Sequence, residues 1–88
     1  MPTPSAGRTS FWIRTFAEAR QRTDWTLVAR QYTRATAAQI ASDINSAHRR
    51  TPEQRMRGVL EAERWHAFWE PAPGGPPGDF VIWIRPAR

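Results

Sequence analysis

The sequence has 88 residues and contains no cysteine and no lysine, and its only histidines are His48 and His66. Without cysteine, no disulfide can form and no thiolate can hold a metal ion. Two histidines are too few for a metal site unless several carboxylates join them. These absences exclude a disulfide-stabilised fold, and we expect neither a metal nor any other cofactor.

Long apolar runs are also missing. No segment approaches the roughly 20 apolar residues that span a bilayer, and residues 1–8 lack the apolar stretch of a signal peptide. We therefore expect a cytoplasmic protein without a membrane partner. A chain of this length has a small core, so homodimer formation is one way to enlarge it.

The charge is strongly positive: thirteen basic residues, all arginine, face eight acidic ones, which gives a formal net charge of +5. GC-rich codons explain the preference for arginine over lysine, but they do not set the balance of acids and bases. A positive field attracts polyanions. Nucleic acid is therefore one expected class of partner, although many basic proteins bind none.

The sequence predicts an α+β fold in which one principal amphipathic helix packs on one face of an antiparallel sheet of about four strands. Residues 1–10 are rich in Pro, Ser, Thr and Gly and are predicted to be a flexible tail before a single domain, 11–88. β-Branched and aromatic residues predict two hairpins. The first pairs residues 11–18 with 25–32, although residues 16–20 also fit a helical turn. The second pairs 64–70 with 79–85 across a loop of Pro and Gly.

The helix is predicted between the two hairpins. Thr36 and Gln39 have the spacing of a capping box, and Pro52 ends the helix. Its apolar face has the spacing of three and four residues and consists of Ala37, Ile40, Ala41, Ile44, Ala47 and His48. Residues 52–63 fit a short helix or a strand almost equally well, and this choice stays open.

Successive side chains of a strand point to opposite faces of the sheet, so the residues assigned to the buried face determine which residues lie on the other face. This assignment is called the parity of the strand. In the second hairpin the predicted core face is Trp65, Ala67, Trp69, Phe80, Ile82 and Ile84. In the first hairpin it is Phe11, Ile13, Ala17, Trp25, Leu27 and Ala29. The opposite, or far, face of both hairpins then mixes arginine with aromatic residues. One helix cannot cover it.

A far face of this composition is typical of a binding surface, because large aromatic groups are costly to leave in water. Its candidate binding residues are Trp12, Arg14, Arg30, Tyr32, Arg64, His66, Phe68, Trp83 and Arg85, and Phe16, Val28 and Val81 share the face. Bases of nucleic acid stack on aromatic rings, whereas Trp, Tyr and Arg also dominate protein interfaces. A third interpretation is a second small core beneath the tail or residues 51–63.

A second basic cluster lies at the predicted end of the helix and contains Arg49, Arg50, Arg55 and Arg57. These residues are secondary candidates for phosphate contacts, and their simpler interpretation is a solvated helix end.

Signs of catalysis are few. There is no Gly-x-Ser-x-Gly motif and no phosphate-binding glycine loop. The best enzyme hypothesis is acid–base cleavage of RNA by His66 and Glu70 with Arg64 on the phosphate. Any strand with His, Glu and Arg raises the same suspicion, so we predict a protein without enzymatic activity. His48, on the apolar helix face, is predicted to be a packed core residue.

The lysine-free composition, rich in Ala, Arg and Trp, resembles that of small proteins of high-GC actinobacteria and of their phages or mobile elements. This resemblance implies a regulator, or an inhibitor of a host or defence protein. The sequence therefore predicts a binding module that contacts DNA or RNA or, alternatively, acts as a protein–protein adaptor, an inhibitor or a homodimer.

Overall fold

A computed structural model describes the backbone of residues 4–87 and the side chains of residues 11–87. The elements are α1 (Pro4–Arg20), β1 (Thr26–Leu27), α2 (Arg34–Asn45), a one-turn 3₁₀ helix (Ala47–Arg49), β2 (Trp65–Pro71) and β3 (Phe80–Pro86). The three strands form an antiparallel sheet in the order β1-β3-β2. This is the predicted α+β class, with three strands and one full hairpin instead of four strands and two hairpins.

The predicted strand over residues 11–18 is wrong, because this segment lies in α1. Phe16 and Ala19 are buried, and Trp12 packs against the same core, so the spacing is that of a helix. The hydroxyl of Thr15 donates to the carbonyl oxygen of Phe11 at 2.8 Å, a bond that a residue makes to the preceding helical turn. Burial at this spacing outweighs the strand propensity of the aromatic and β-branched residues.

The predicted tail is partly described. The backbone of residues 4–10 belongs to α1, whereas residues 1–3 lie outside the described part of the chain. The division into a tail and a single domain stays a prediction. No helix within residues 4–87 is long and apolar enough to cross a membrane.

The parity predicted for residues 25–32 is also wrong. β1 has only two residues: Thr26 lies opposite Ile84, and Leu27 lies opposite Trp83. Val28 is buried, and its N–H donates to the carbonyl oxygen of Ile82 at 2.9 Å. The predicted core residue Leu27 is therefore on the far face, and the predicted far-face residue Val28 is in the core. A strand this short has too little alternation to fix its parity from sequence.

The principal helix exists, but it begins earlier than predicted. Its N-cap is Thr33, whose hydroxyl accepts from the N–H of Thr36 at 3.4 Å. Thr36 is therefore within the first turn rather than at the cap. The buried face, with Ala37, Ala41 and Ile44, is as predicted.

The C-terminal hairpin has the predicted parity. Ala67 pairs with Ile84, and Trp69 pairs with Ile82. These side chains and Trp65 lie on the face that carries the core. The loop between the strands is closed by bonds within it, including the one from the N–H of Ala72 to the carbonyl oxygen of Asp79 at 2.8 Å.

Both helices pack on this one face of the sheet. The ring of Phe16 on α1 meets the ring of Trp65 edge to face, with centroids 4.8 Å apart. The shared core also contains Ala37 and Ile44 from α2, and Ile82 and Ile84 from β3. The result is a two-layer arrangement of helices on a sheet.

Residues 50–64 are neither the helix nor the strand that the sequence allows. The segment consists of separate turns, in which the N–H groups of Gln54 and Arg55 donate to the carbonyl oxygen of Thr51 and the N–H of Val59 donates to that of Met56. Val59 is buried in the core formed with α1. The segment therefore lies on the helical side of the sheet.

Gly58 brings the backbone of this segment close to α1. Its φ is +95°, and a Cβ built there would lie 2.7 Å from Cδ2 of Phe16 and 2.8 Å from the carbonyl oxygen of Trp12. Arg20 ties the same segment down: its Nη2 donates to the carbonyl oxygen of Gly58 at 2.7 Å and to Oε1 of Glu63 at 2.9 Å. No side chain fits between α1 and this loop.

We expect Gly58→Ala to destabilise the fold by about 2–4 kcal/mol, since a Cβ adds backbone strain and a clash with the α1 backbone. Urea unfolding would measure the loss. Gly74→Ala is the matched control: its φ is +70°, and nothing lies within 4 Å of the added Cβ. The control should lose only about 1–2 kcal/mol. Equal losses in both variants would contradict the close approach at Gly58.

The carboxyl of Glu63 generates a second prediction. The hydrogen bond from Arg20 lowers the pKa of Glu63 against the opposing effect of burial, and the Leu60 N–H and the Trp65 ring add to the lowering. A lowered pKa stabilises the fold above the ordinary value of about 4.3, and this stability is lost as the pH falls through the lowered pKa.

Glu63→Gln should therefore cost about 1 kcal/mol at neutral pH, a value kept small because the pair is partly solvated. The difference from the unmodified protein should shrink in acid. Urea unfolding at several pH values would measure it. Glu61→Gln, at an exposed position two residues earlier, is the control. A pH-independent difference, or the same difference in the control, would show that the Arg20–Glu63 pair does not act in this way.

Candidate functional site

The far face of the sheet carries the candidate site. Along the hairpin, His66 pairs with Arg85, Phe68 with Trp83 and Glu70 with Val81. These are the far-face residues that the second hairpin predicts. Leu27 of β1 joins them opposite Trp83. Trp25, Leu27, Phe68, Trp83 and Arg85 are called the aromatic face below.

The rings of the aromatic face are held in fixed contact. Phe68 meets Trp25 edge to face with centroids 4.7 Å apart, and it stacks on Trp83 at 6.4 Å with planes 15° apart. The indole N–H of Trp83 donates to Oε2 of Glu70 at 2.7 Å. The guanidinium carbon of Arg85 lies 5.0 Å from the centre of the Trp25 ring, a cation–π distance.

Much of this apolar surface meets solvent. Phe68 is 40% exposed and Leu27 is 47% exposed. Val81, at the end of the face nearest the loop between β2 and β3, is buried. The exposed part of the face is therefore the region around Leu27 and Phe68. The second core considered from the sequence does not form from residues 50–64, because that segment packs against α1 on the other face.

Four predicted binding residues lie away from this face. Trp12 packs beside Phe16 in α1 with ring centroids 5.8 Å apart, and Arg14 is exposed on the same helix. The guanidinium of Arg30 lies 3.9 Å from the centre of the Phe11 ring. Tyr32 is half-buried and pairs with Phe80 by backbone bonds of 2.9 and 2.8 Å. Of the predicted binding residues, only those of the second hairpin therefore remain on or beside this face.

The sequence reasoning missed Trp25 and Leu27, which replace those four residues on the face. A two-residue strand beside β3 takes its parity from Trp83 and Ile84, and that pairing is not visible in the local sequence.

A second surface, called the basic groove below, lies where the 3₁₀ helix meets the start of β2. His48, Arg49, Arg64 and His66 line a cavity of about 480 Å³ together with Asn45, Trp65 and Ala87. Nη2 of Arg64 lies 3.3 Å from Nε2 of His48. The prediction of His48 as a packed core residue is therefore wrong: it is half-buried in the groove wall.

The predicted cluster of four arginines is divided in the structure. Arg49 lines the basic groove, whereas Nη2 of Arg50 lies 3.8 Å from Oδ1 of Asp43. Arg55 and Arg57 line a separate cavity beside Glu53. The structure thus joins Arg49 to Arg64, which the sequence placed on different elements.

The positive groove disfavours a charged imidazole. Burial lowers the pKa of His48, and the nearby charges of Arg64 and Arg49 lower it further. Arg64 is a permanent donor, so its contact makes Nε2 of His48 an acceptor. Nδ1 of His48 is buried and has no hydrogen-bond partner among the described residues.

The far face lacks the close acid–base pair that RNA cleavage needs. His66 and Glu70 are four residues apart on one strand, or about 13 Å, and Glu70 is already bound to Trp83. Within the described residues no three His, Cys, Asp or Glu side chains are grouped so that they could hold a metal ion.

The outer edge of β2 is partly closed by α2. The side-chain amide of Asn45 donates to the carbonyl oxygen of Ala67 at 3.0 Å and accepts from its N–H at 2.8 Å. Asn45 thus occupies the place that a neighbouring strand would take. Strand addition at this position of the edge is therefore hindered.

Comparison with known proteins finds no family model, no curated protein and no solved structure that matches this chain significantly. Its function is therefore inferred from the geometry of the two surfaces.

Arg64→Gln should raise the pKa of His48, because it removes a nearby positive charge. The imidazole C–H signals, followed by NMR against pH, would measure the change. Arg57→Gln removes the same charge outside the groove and should leave that pKa in place. The folded state loses stability as the pH falls from about 6.5 through the lowered pKa, and Arg64→Gln should reduce this loss. Equal shifts in both variants would contradict the contact.

Proposed function

We propose that this protein is a non-enzymatic binding module that holds single-stranded nucleic acid on the aromatic face. One observation carries the proposal: a row of packed rings, Trp25, Phe68 and Trp83, lies on a sheet face that neither helix covers, with Arg85 against its first ring. Bases stack on such rings at roughly 1–3 kcal/mol each.

The order of the rings supports this proposal. Because Trp83 is bound to Glu70 and Trp25 lies against Arg85, both flanking indoles are positioned before a ligand arrives. When a ligand stacks on Phe68, the side chains of the protein therefore lose little conformational freedom, which favours binding. The guanidinium of Arg85 supplies a positive charge beside the rings, and the net charge of +5 attracts the polyanion.

A single strand suits this surface better than a duplex. In a duplex the base faces are stacked on one another, and its sequence is read by elements that enter a groove. The aromatic face is the flat surface of a sheet, and it offers ring faces that unstacked bases can meet. Regulation of a process that exposes single strands is the corresponding biological role.

A protein partner is the second candidate. Leu27 is 47% exposed beside Phe68, and an aliphatic side chain has no stacking role for bases. A regulator, an inhibitor or a second copy of this chain that covers Leu27 and Phe68 would bury this surface. Such binding would depend weakly on salt, because apolar contact would dominate it.

Phe68→Ser should weaken binding to short single-stranded DNA and RNA at least about fivefold, because one stacking platform is lost. Tryptophan fluorescence, to which Trp25 and Trp83 contribute, would follow the titration at low and at physiological salt. The affinity should fall steeply with salt and exceed that for duplexes of the same length.

Leu60→Ser is the matched control, because Leu60 is 57% exposed in the segment on the other side of the sheet. It should bind like the unmodified protein. The proposal fails if no binding survives at physiological salt, or if the two variants lose affinity equally. Self-association that is lost only in Phe68→Ser, without binding of nucleic acid, would instead favour the homodimer.

A further inference from the structure

The basic groove carries an unusual concentration of positive charge. Arg49 comes from the 3₁₀ helix and Arg64 from the residue before β2, and both line the same cavity. None of the residues that line it is acidic. Among residues 11–87, the acidic side chains that form ion pairs are Glu63 and Asp43, and their partners are Arg20 and Arg50.

The two guanidinium groups are therefore not neutralised by a carboxylate of the described chain. Side chains of like charge repel one another when they are brought together. Arg64 instead approaches a histidine, with Nη2 3.3 Å from Nε2 of His48. This contact uses one of five guanidinium donors.

Two imidazoles complete the groove. His48 stands between Arg49 and Arg64, and His66 is exposed at the junction with the aromatic face. Nδ1 of His48 is buried and lacks a partner among the described residues, whereas Nε2 is the ring nitrogen that faces Arg64. An anion between Arg64 and His48 would displace their direct contact and accept hydrogen bonds from Arg64 and from Nε2–H of a protonated His48.

We propose that the basic groove binds a phosphate group, with Arg49 and Arg64 as its ion-pair partners and His48 and His66 as hydrogen-bond donors. Arginine presents paired N–H donors that match phosphate oxygens. The cavity of about 480 Å³ lies within the roughly 300–1,000 Å³ of ligand sites, so it also has room for the group that carries the phosphate. This proposal does not depend on binding of bases to the aromatic face.

The direct test titrates the full chain with inorganic phosphate at constant ionic strength, and with chloride for comparison. The imidazole C–H signals of His48 and His66 should shift along a saturable curve with phosphate and stay in place with chloride. Arg64→Gln and Arg49→Gln should each weaken the binding about tenfold, in the range of one lost charge-assisted hydrogen bond. Arg57→Gln, which removes the same charge elsewhere, should bind like the unmodified protein.

A sulfate titration tests the histidines, because the charge of sulfate is constant near neutral pH. The charged groups around His48 are Arg49 on its own element and Arg64 from the residue before β2, and the imidazole of His66 from β2 lines the same groove. Sulfate should bind more tightly at about pH 6 than at about pH 8, since an anion favours the charged imidazole. His48→Gln should remove a large part of this difference.

Oligonucleotides distinguish the sources of the phosphate. If the groove takes a terminal phosphate, a short strand with a 5′-phosphate should bind more tightly than its 5′-hydroxyl form, and Arg64→Gln should abolish the difference. If it takes a backbone phosphate, Arg64→Gln should weaken both forms equally. If it takes free phosphate or a small ester, Arg64→Gln should weaken the binding of inorganic phosphate but should not change the binding of either oligonucleotide.

Phe68→Ser keeps this proposal separate from the preceding one, because it should leave the phosphate titration unchanged even where binding of single strands is lost. The proposal is overturned if phosphate produces no saturable shift beyond that of chloride. It is also overturned if Arg64→Gln and Arg57→Gln change the titration equally, since the groove would then act only through net charge.

Discussion

The close packing of α1 against residues 58–63 is the constraint on which the rest of the architecture depends. Gly58 allows the loop backbone to touch the backbone of α1, and Arg20 then binds both Gly58 and Glu63. Phe16 is thereby pressed onto Trp65, the first residue of β2. Loss of this contact would remove a large part of the folding free energy, because a chain of this length buries few other groups.

This contact also decides which face of the sheet stays open. Since α1 and residues 58–63 are held on the side of α2, neither is free to cover the other side. The aromatic face is therefore a consequence of packing elsewhere, and its side chains have no described partner layer. Within the face, the indole N–H of Trp83 instead donates to Glu70, and the guanidinium of Arg85 lies over the ring of Trp25.

The C-terminal hairpin could be predicted from sequence because two strict alternations flank a loop of Pro and Gly, and such information is local. α1 could not, because its aromatic and β-branched residues also suit a strand. What selects the helix is contact with Gly58, more than 40 positions after Phe16. The basic groove was missed for the same reason, since Arg49 and Arg64 meet only when the 3₁₀ helix packs beside β2.

His66 lies at the point where the two surfaces meet. It lines the basic groove and is two residues from Phe68 on the same face of β2, a separation of about 7 Å. A ligand with its base on Phe68 therefore has its own sugar–phosphate within reach of the groove. Because the strand pairing of His66 with Arg85 and of Phe68 with Trp83 fixes this spacing, the sheet itself would set the distance between a stacked base and a bound phosphate. A protein partner has no need of that spacing, so cooperation between the two surfaces would favour nucleic acid over protein as the ligand.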